Sequence, residues 1–209
     1  MSANSSGKWN LGRWAIVALL AGAAAAGCSS GKGNANNSSG GGSSSGSATG
    51  GGSAEALGYS FTDPAGHFKA SFPVKPDTNN QSVPFGNETS KSAYYTAQSS
   101  DGNEAFQVIE MPLPSDIAAS VGDSQITNFL QTVATGTGAK ASDVHTSSIT
   151  FHGTHAMQGI WTGNASGTAF SGQGVAFAKN GIVYMVSVIG TGSAGANYNA
   201  LANSFSLTS

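Results

Sequence analysis

Three of the four histidines in the chain lie close together in sequence, at His145, His152 and His155. Neutral imidazoles bind zinc and copper well, so this group is a candidate for metal chemistry. His152 and His155 flank a short predicted turn, and their side chains could approach each other. His145 lies at the far end of the preceding strand, about 20 Å away at roughly 3.3 Å per residue. Because a metal site normally needs three protein ligands, we expect none here, with His152 and His155 as the remaining candidates.

A glycine-rich run, Gly190-Thr191-Gly192-Ser193-Ala194-Gly195, has the spacing of the dinucleotide-binding fingerprint. That fingerprint works in a βαβ unit with an acidic residue about 20 positions later. No acidic residue follows Gly195. We therefore interpret the run as a loop between a strand and a helix, and we expect no cofactor. Ser193 has Thr191 two residues before it, so it does not form the Gly-x-Ser-x-Gly motif of serine hydrolases.

Two carboxylates and several aromatic residues are the other candidates for a site. Glu104 and Glu110 share one face of a predicted strand, and a carboxylate pair can act as acid and base when burial separates the two pKa values. The sequence gives no sign of such burial, so we expect both side chains in solvent. Trp161 and the Tyr94-Tyr95 pair could line a ligand groove, although aromatic residues on strands usually pack in the core or at an edge. We expect no catalytic residue and no enzymatic activity.

The only cysteine of the chain, Cys28, follows a basic and then apolar segment. Lys8 and Arg13 precede an apolar run at 14–26. A run of this length is short for a membrane-spanning helix, which needs about 20 residues, and is typical of a secretory signal peptide. A single cysteine cannot form an internal disulfide. The ending Ala25-Ala26-Gly27-Cys28 resembles the lipobox of bacterial lipoproteins.

This resemblance implies that residues 1–27 are removed as a signal peptide and that Cys28 is lipidated with a diacylglyceryl group, with or without a third, N-linked chain. Two or more acyl chains form a lasting membrane anchor. The alternative is ordinary cleavage after Ala24-Ala25-Ala26, which would release a soluble protein. We expect a bacterial protein anchored by lipid on the extracytoplasmic face of the cell membrane.

Residues 29–57 contain nine glycines and nine serines, with Leu57 as the only large apolar residue. Such a composition cannot bury enough surface to offset its ordering entropy, so residues 28–57 are predicted to be a lipidated, disordered tether. From Cys28 onward the chain has six lysines, no arginine and ten acidic residues, a net charge of −4. Recognition of nucleic acids relies on basic patches and arginine forks. We therefore expect no nucleic-acid partner.

Residues 58–209 are predicted to form one α+β domain, an antiparallel sheet packed with helices. Apolar residues alternate at Phe68, Ala70 and Phe72 as in a strand, and the dipeptides Asp101-Gly102 and Asn180-Gly181 predict type I′ hairpin turns. A helical spacing covers Ile126, Phe129, Leu130, Val133 and Ala134, with Asp123 or Ser124 as the expected N-cap, and a second short helix is expected around Tyr198–Phe205.

The order of these elements is similar to that of the Mog1/PsbP-like domains. The segments Phe61-Thr62-Asp63-Pro64 and 67–73 resemble the N-terminal part of such domains. The segment Gly181-Ile182-Val183-Tyr184 and the residues around Phe205 resemble their C-terminal part. The resemblance implies an α/β/α sandwich and a non-enzymatic role in binding or assembly with an envelope protein partner. A carrier of small ligands or metals, using a cavity between sheet and helix, is the alternative.

Overall fold

The structure, a computed structural model, describes residues 54–85, 88–165, 167–191 and 194–208. The predicted signal peptide, Cys28 and most of the predicted tether lie outside the described residues. None of the described helices has the length and apolar character that a membrane span requires.

Ten strands and three helices make up the described domain. The strands are β1 (Tyr59–Thr62), β2 (Phe68–Phe72), β3 (Asp77–Phe85), β4 (Glu88–Gln98), β5 (Glu104–Pro112), β6 (Ala139–Phe151), β7 (Thr154–Ala165), β8 (Thr168–Lys179), β9 (Ile182–Gly190) and β10 (Ser206–Leu207). The helices are α1 (Ser115–Ala118), α2 (Asp123–Gly136) and α3 (Ala194–Ser204).

Seven of the strands form one antiparallel sheet in the order β3-β4-β5-β9-β8-β7-β6. The chain runs from β3 to β5 as a meander, crosses the sheet through α1 and α2 to the far edge at β6, and returns by three hairpins to β9 beside β5. Strands β1, β2 and β10 form a second, three-stranded antiparallel sheet. The first and last parts of the domain are thus held together by β2.

Each face of the large sheet buries its own core. Helix α2 covers one face with Ile126, Leu130, Val133 and Ala134, which pack around the fully buried Trp161. These are four of the five positions that the helical spacing predicts, and the fifth, Phe129, is partly buried against the same core. The N-cap is Gly122, one residue before Asp123 and two before Ser124, the two predicted caps.

The opposite face is covered by α3 together with the three-stranded sheet. The core on this side is aromatic, with Phe68 and Phe205 stacked at 5.3 Å and with Tyr95, Phe177 and Tyr184 around them. This second layer corrects the predicted α/β/α sandwich. The domain is mainly β, because the outer layer on this side is built by three strands as well as by a helix.

The turns explain several glycines and one histidine. Asn180 (φ 52°) and Gly181 (φ 74°) have the left-handed backbone of a type I′ turn, which confirms that prediction. His152 (φ 47°) and Gly153 (φ 75°) join β6 to β7 in the same way. The prediction at Asp101-Gly102 is wrong, because only Gly102 has a positive φ and the loop spans residues 99–103.

The N-terminal end of the domain makes contacts earlier than the sequence predicts. The backbone N–H of Glu55 donates to Asn197 Oδ1 at 2.6 Å, and Leu57 packs against the aromatic core. Both residues belong to the segment that the composition assigns to the tether. The chain therefore enters the domain beside α3 and the β4–β5 loop, where Ser100 N–H donates to Glu55 Oε1.

Candidate functional site

The structure brings Asp63, His67 and Glu110 together beside the aromatic core, with one ligand atom from each residue within 4.8 Å of the other two. We call these three residues the carboxylate–histidine cluster. Asp63 follows β1, His67 precedes β2, and Glu110 lies on β5 of the large sheet. The cluster therefore joins the small sheet to the large one.

The turn between β1 and β2 sets the positions of Asp63 and His67. Asp63-Pro64-Ala65-Gly66 is a turn in which Gly66 N–H donates to Asp63 O at 2.8 Å and Gly66 has a φ of 79°. Beyond the turn, the backbone N–H of His67 donates to Asp63 Oδ2 at 3.1 Å. An aspartate at this position of a turn commonly accepts such a bond from the following backbone. The local sequence therefore places the Asp63 carboxylate against His67.

Glu110 reaches the same place from the sheet. Glu110 lies on the same face of β5 as Phe106 and Val108, because strand side chains two residues apart point the same way. That face of the strand is turned toward the aromatic core. His67 Nδ1 lies 2.5 Å from Glu110 Oε1 and 3.6 Å from Asp63 Oδ2. One imidazole nitrogen therefore lies within ion-pair distance of two carboxylates, one in the turn after β1 and one on β5.

Both carboxylates are buried, whereas the histidine is not. Asp63 is 3% exposed and Glu110 5%, but the side chain of His67 is 41% exposed. Burial raises the pKa of Glu110, and the hydrogen bond with His67 opposes that rise. In the described part of the chain, His67 is the only basic side chain within ion-pair distance of either carboxylate. This corrects the prediction that Glu110 is a solvated strand residue.

Two tyrosines form the inner wall of the cluster. Tyr95 OH donates to Asp63 Oδ1 at 2.5 Å, and burial followed by this bond raises the pKa of Tyr95 far above its ordinary value. Tyr184 pairs with Glu110 across β5 and β9, and burial with the nearby charges of Glu110 and Asp63 raises its pKa to about 12. Both phenols therefore stay protonated and uncharged at neutral pH, so neither adds a charge to the cluster.

Glu104, the other buried carboxylate of β5, is 7% exposed and lies apart from the cluster. Asn197 of α3 donates a hydrogen bond to Glu104 Oε2, and burial raises the pKa of this glutamate. The prediction that Glu104 is solvated is therefore wrong as well. Its position beside Asn197, which also binds Glu55, puts it where the chain enters the domain.

The structure separates the predicted histidine candidates. His152 Nε2 donates to the carbonyl oxygen of Ala202 in α3 at 3.0 Å, whereas His155 Nε2 lies 2.7 Å from Asp123 Oδ1 at the start of α2. Helices α2 and α3 cover opposite faces of the sheet, so the side chains of His152 and His155 lie apart. The predicted approach of these two side chains is therefore wrong. His145 lies on β6 opposite Ile160 and joins neither.

The glycine-rich run and the strand aromatics have structural positions. Gly190 ends β9 beside Glu104, and Gly195 lies in the first turn of α3, while Gly192 and Ser193 lie outside the described residues. Trp161 and Tyr94 are buried in the core beneath α2, as expected for strand aromatics. The Trp161 Nε1 atom is buried there without a hydrogen-bond partner.

A small cavity of about 230 Å³ lies between the β6–β7 turn and β10. It is smaller than the roughly 300–1,000 Å³ that is typical of small-molecule sites. It does not lie between the sheet and a helix, where the sequence places a carrier's cavity. Its lining residues are Phe151, His152, Thr154, Phe177, Phe205, Ser206 and Leu207.

Sequence reasoning missed His67 as a site residue because no other histidine is near it in the chain. The available signals were the Asp63-x-x-x-His67 spacing across a turn and the every-second-residue spacing that puts Glu110 on one face with Phe106 and Val108.

A scan against protein-family models finds no match for the chain, and a search of the curated proteins also finds none.

Proposed function

We propose that the chain is a bacterial lipoprotein held on the extracytoplasmic face of the cell membrane through Cys28, and that its domain is a non-enzymatic binding or assembly module. The observation that carries this proposal is the lone cysteine itself, placed after a short apolar run and before a Gly- and Ser-rich segment. Thioether attachment of a lipid accounts for a single exported thiol, and the Gly- and Ser-rich residues between Cys28 and Glu55 serve as the tether.

The geometry of the domain supports such an arrangement. The chain enters at Glu55, next to Asn197 and Glu104. The carboxylate–histidine cluster includes Glu110, which lies six residues after Glu104 on β5. At roughly 3.3 Å per residue, the two glutamates are about 20 Å apart. Attachment at one end of β5 leaves the cluster at the other end free for contact with a partner.

The Mog1/PsbP-like assignment belongs to the same proposal. A large antiparallel sheet with α2 on one face and α3 on the other supports it, and the three-stranded sheet is the feature that a simple α/β/α sandwich lacks. The partner we propose is another protein of the envelope. A nucleic acid is a poor partner for this chain, since it has no arginine after Cys28.

Replacement of Cys28 tests the anchor. The Cys28→Ala chain should lose its lipid and either keep residues 1–27 or be released from the membrane, whereas the matched control Ser29→Ala should be processed and anchored normally. Fractionation of intact cells with immunoblotting measures both outcomes. A Cys28→Ala chain of mature size that stays with the membrane would overturn the proposal.

Crosslinking in intact cells followed by mass spectrometry tests the binding role. A module that acts through a partner should give the same crosslinked envelope protein from the wild-type and Ser29→Ala chains, and less of it from Cys28→Ala. Crosslinks that do not depend on the anchor would contradict the proposal.

A second candidate function, metal carriage, is favoured by one specific observation. The carboxylate–histidine cluster offers one nitrogen and two oxygen ligands within 4.8 Å. Small-ligand carriage has weaker support, because the 230 Å³ cavity is below the usual size of such sites.

A further inference from the structure

We propose that Asp63, His67 and Glu110 bind one divalent transition-metal ion, with zinc as the best fit. The inference deepens the second candidate function, metal carriage, by naming the ion and its ligands, and it is independent of the proposed lipid anchor, since an anchored module could recognise a protein partner with or without a metal. It rests on the types of the three ligand atoms, their distances, and the burial of the two carboxylates.

The ligand types favour zinc over the common hard cations. Imidazole nitrogen suits zinc, copper, iron and nickel, whereas calcium takes six to eight oxygen ligands and magnesium keeps several waters around one or two carboxylates. One histidine nitrogen with two carboxylate oxygens makes a three-ligand zinc site, in which water fills the fourth position. His67 is 41% exposed, so solvent reaches the cluster from its side.

The charges of the cluster also favour a divalent cation. Asp63 and Glu110 are buried almost completely, and a buried carboxylate needs a compensating partner. A neutral His67 leaves two negative charges when both carboxylates are ionised, and a protonated His67 still leaves one. In residues 54–85, 88–165, 167–191 and 194–208, no lysine lies within ion-pair distance of them. One Zn²⁺ ion would balance both carboxylates.

The surroundings hold the ligands in place. Tyr95 OH and the His67 backbone N–H donate to the two oxygens of Asp63, as outer partners of metal ligands usually do. The backbone of His67 is itself fixed, because Thr208 N–H donates to His67 O at 2.9 Å. The Asp63 carboxylate therefore has little freedom to rearrange, and the half-exposed imidazole has more.

Binding would require only a small movement of His67. Ligand atoms on one zinc ion lie roughly 3–3.5 Å apart, given Zn–N and Zn–O distances of about 2.0–2.2 Å. His67 Nδ1 is 3.6 Å from Asp63 Oδ2, which is already close to that range, and 2.5 Å from Glu110 Oε1, which is a hydrogen-bond distance. Zinc would displace the proton between His67 and Glu110, which would be released to solvent, and the imidazole would move away from Glu110 by roughly 1 Å.

Calorimetric titration with zinc chloride tests the site in the mature chain, residues 28–209, carrying Cys28→Ala so that the thiol cannot bind zinc. We expect one zinc ion per chain. His67→Ala and Glu110→Gln should each weaken binding roughly tenfold or more, as loss of a ligand removes at least as much affinity as loss of an outer partner. Because this chain has no anchor, the result does not depend on the proposed lipidation.

Two matched controls make the test specific. Glu104→Gln changes the other buried carboxylate of β5, and His155→Ala removes a histidine that contacts an aspartate elsewhere. Both controls should keep the wild-type affinity and the rise in Tm that a ligand of the folded state produces. If Glu110→Gln fails to fold, His67→Ala decides the result, since the His67 side chain is half exposed.

Three outcomes would overturn the inference. Zinc binding that survives in His67→Ala would place the ion elsewhere, and binding lost in His155→Ala would place it at Asp123. No heat of binding with zinc in tenfold excess over protein would leave the cluster as an ion pair that only joins the β1–β2 turn to β5.

Discussion

Glu104 and Glu110 lie on the same face of β5, six residues apart, and each ends in a different buried environment. Glu104 accepts a hydrogen bond from Asn197 at the entry of the chain into the domain, whereas Glu110 meets His67 and Asp63 at the other end of the strand. Burial raises the pKa of both glutamates. The two residues mark the end of β5 where the chain enters the domain and the end that carries the candidate site.

The pH dependence of stability should reveal the burial of Glu104. An acid whose pKa is raised by folding stabilises the folded state below its unfolded pKa, and that contribution is lost as the pH rises through the folded pKa. Glu104→Gln is uncharged at every pH. Its Tm should therefore increase relative to wild type as the pH rises above about 4.5, the ordinary glutamate value. Thermal melts from pH 2 to pH 8 measure the difference.

Asp101→Asn is the control with the opposite sign. The pKa of this exposed carboxyl is lowered by hydrogen bonds from Ser99 and Asn103. The stability that these bonds give is present at neutral pH and is lost as the pH falls below the ordinary aspartate value. If Glu104→Gln and wild type keep a constant Tm difference across the range, Glu104 is not buried as an acid.

The pairing of Gly172 with Trp161 predicts a large effect for one added methyl group. A Cβ at Gly172 would lie 2.2 Å from Trp161 Cε2, and the indole is fully buried. Gly172→Ala should therefore lower the free energy of unfolding by about 1–3 kcal/mol, as overpacking does. Gly58→Ala, whose Cβ would meet nothing within 4 Å, should have little effect. Urea denaturation of both variants measures this, and equal stabilities would contradict the close packing of Gly172 against Trp161.

His152 should be explained by its backbone rather than by ligand binding. Its φ of 47° is left-handed, which costs a β-branched residue about 1–2 kcal/mol. His152→Val should be less stable than His152→Asn by that amount, because asparagine tolerates this conformation and both variants lose the bond to Ala202. Equal melting temperatures for the two variants would show that the turn does not require a left-handed residue.

The local elements could be predicted from the sequence, whereas the site could not. Helix α2 and the β8–β9 turn are each determined by residues close together in the chain. The helix follows from the spacing of Ile126, Leu130, Val133 and Ala134, and the turn follows from the Asn180-Gly181 dipeptide. His67 and Glu110 are 43 residues apart in the chain. Their contact forms only when the small sheet packs over β5. This packing joins distant parts of the chain, so a local sequence pattern cannot predict it. The same packing buries Glu110.

The sheet face on which each histidine side chain lies could not be predicted from local patterns either. His152 and His155 are three residues apart, but a two-residue turn and the alternation of strand side chains send them to α3 and α2 respectively. Proximity in sequence suggested a pair, and the sheet places them on opposite sides.

The most direct test of the central claim, attachment through Cys28, is the intact mass of the chain purified in detergent from bacterial membranes. We predict a single species whose N-terminal residue is Cys28 and whose mass exceeds that of the polypeptide from Cys28 onward by a diacylglyceryl group, with or without a third acyl chain, and that has no thiol reactive with a maleimide. A species that begins at another residue and carries a free, reactive Cys28 would contradict the claim.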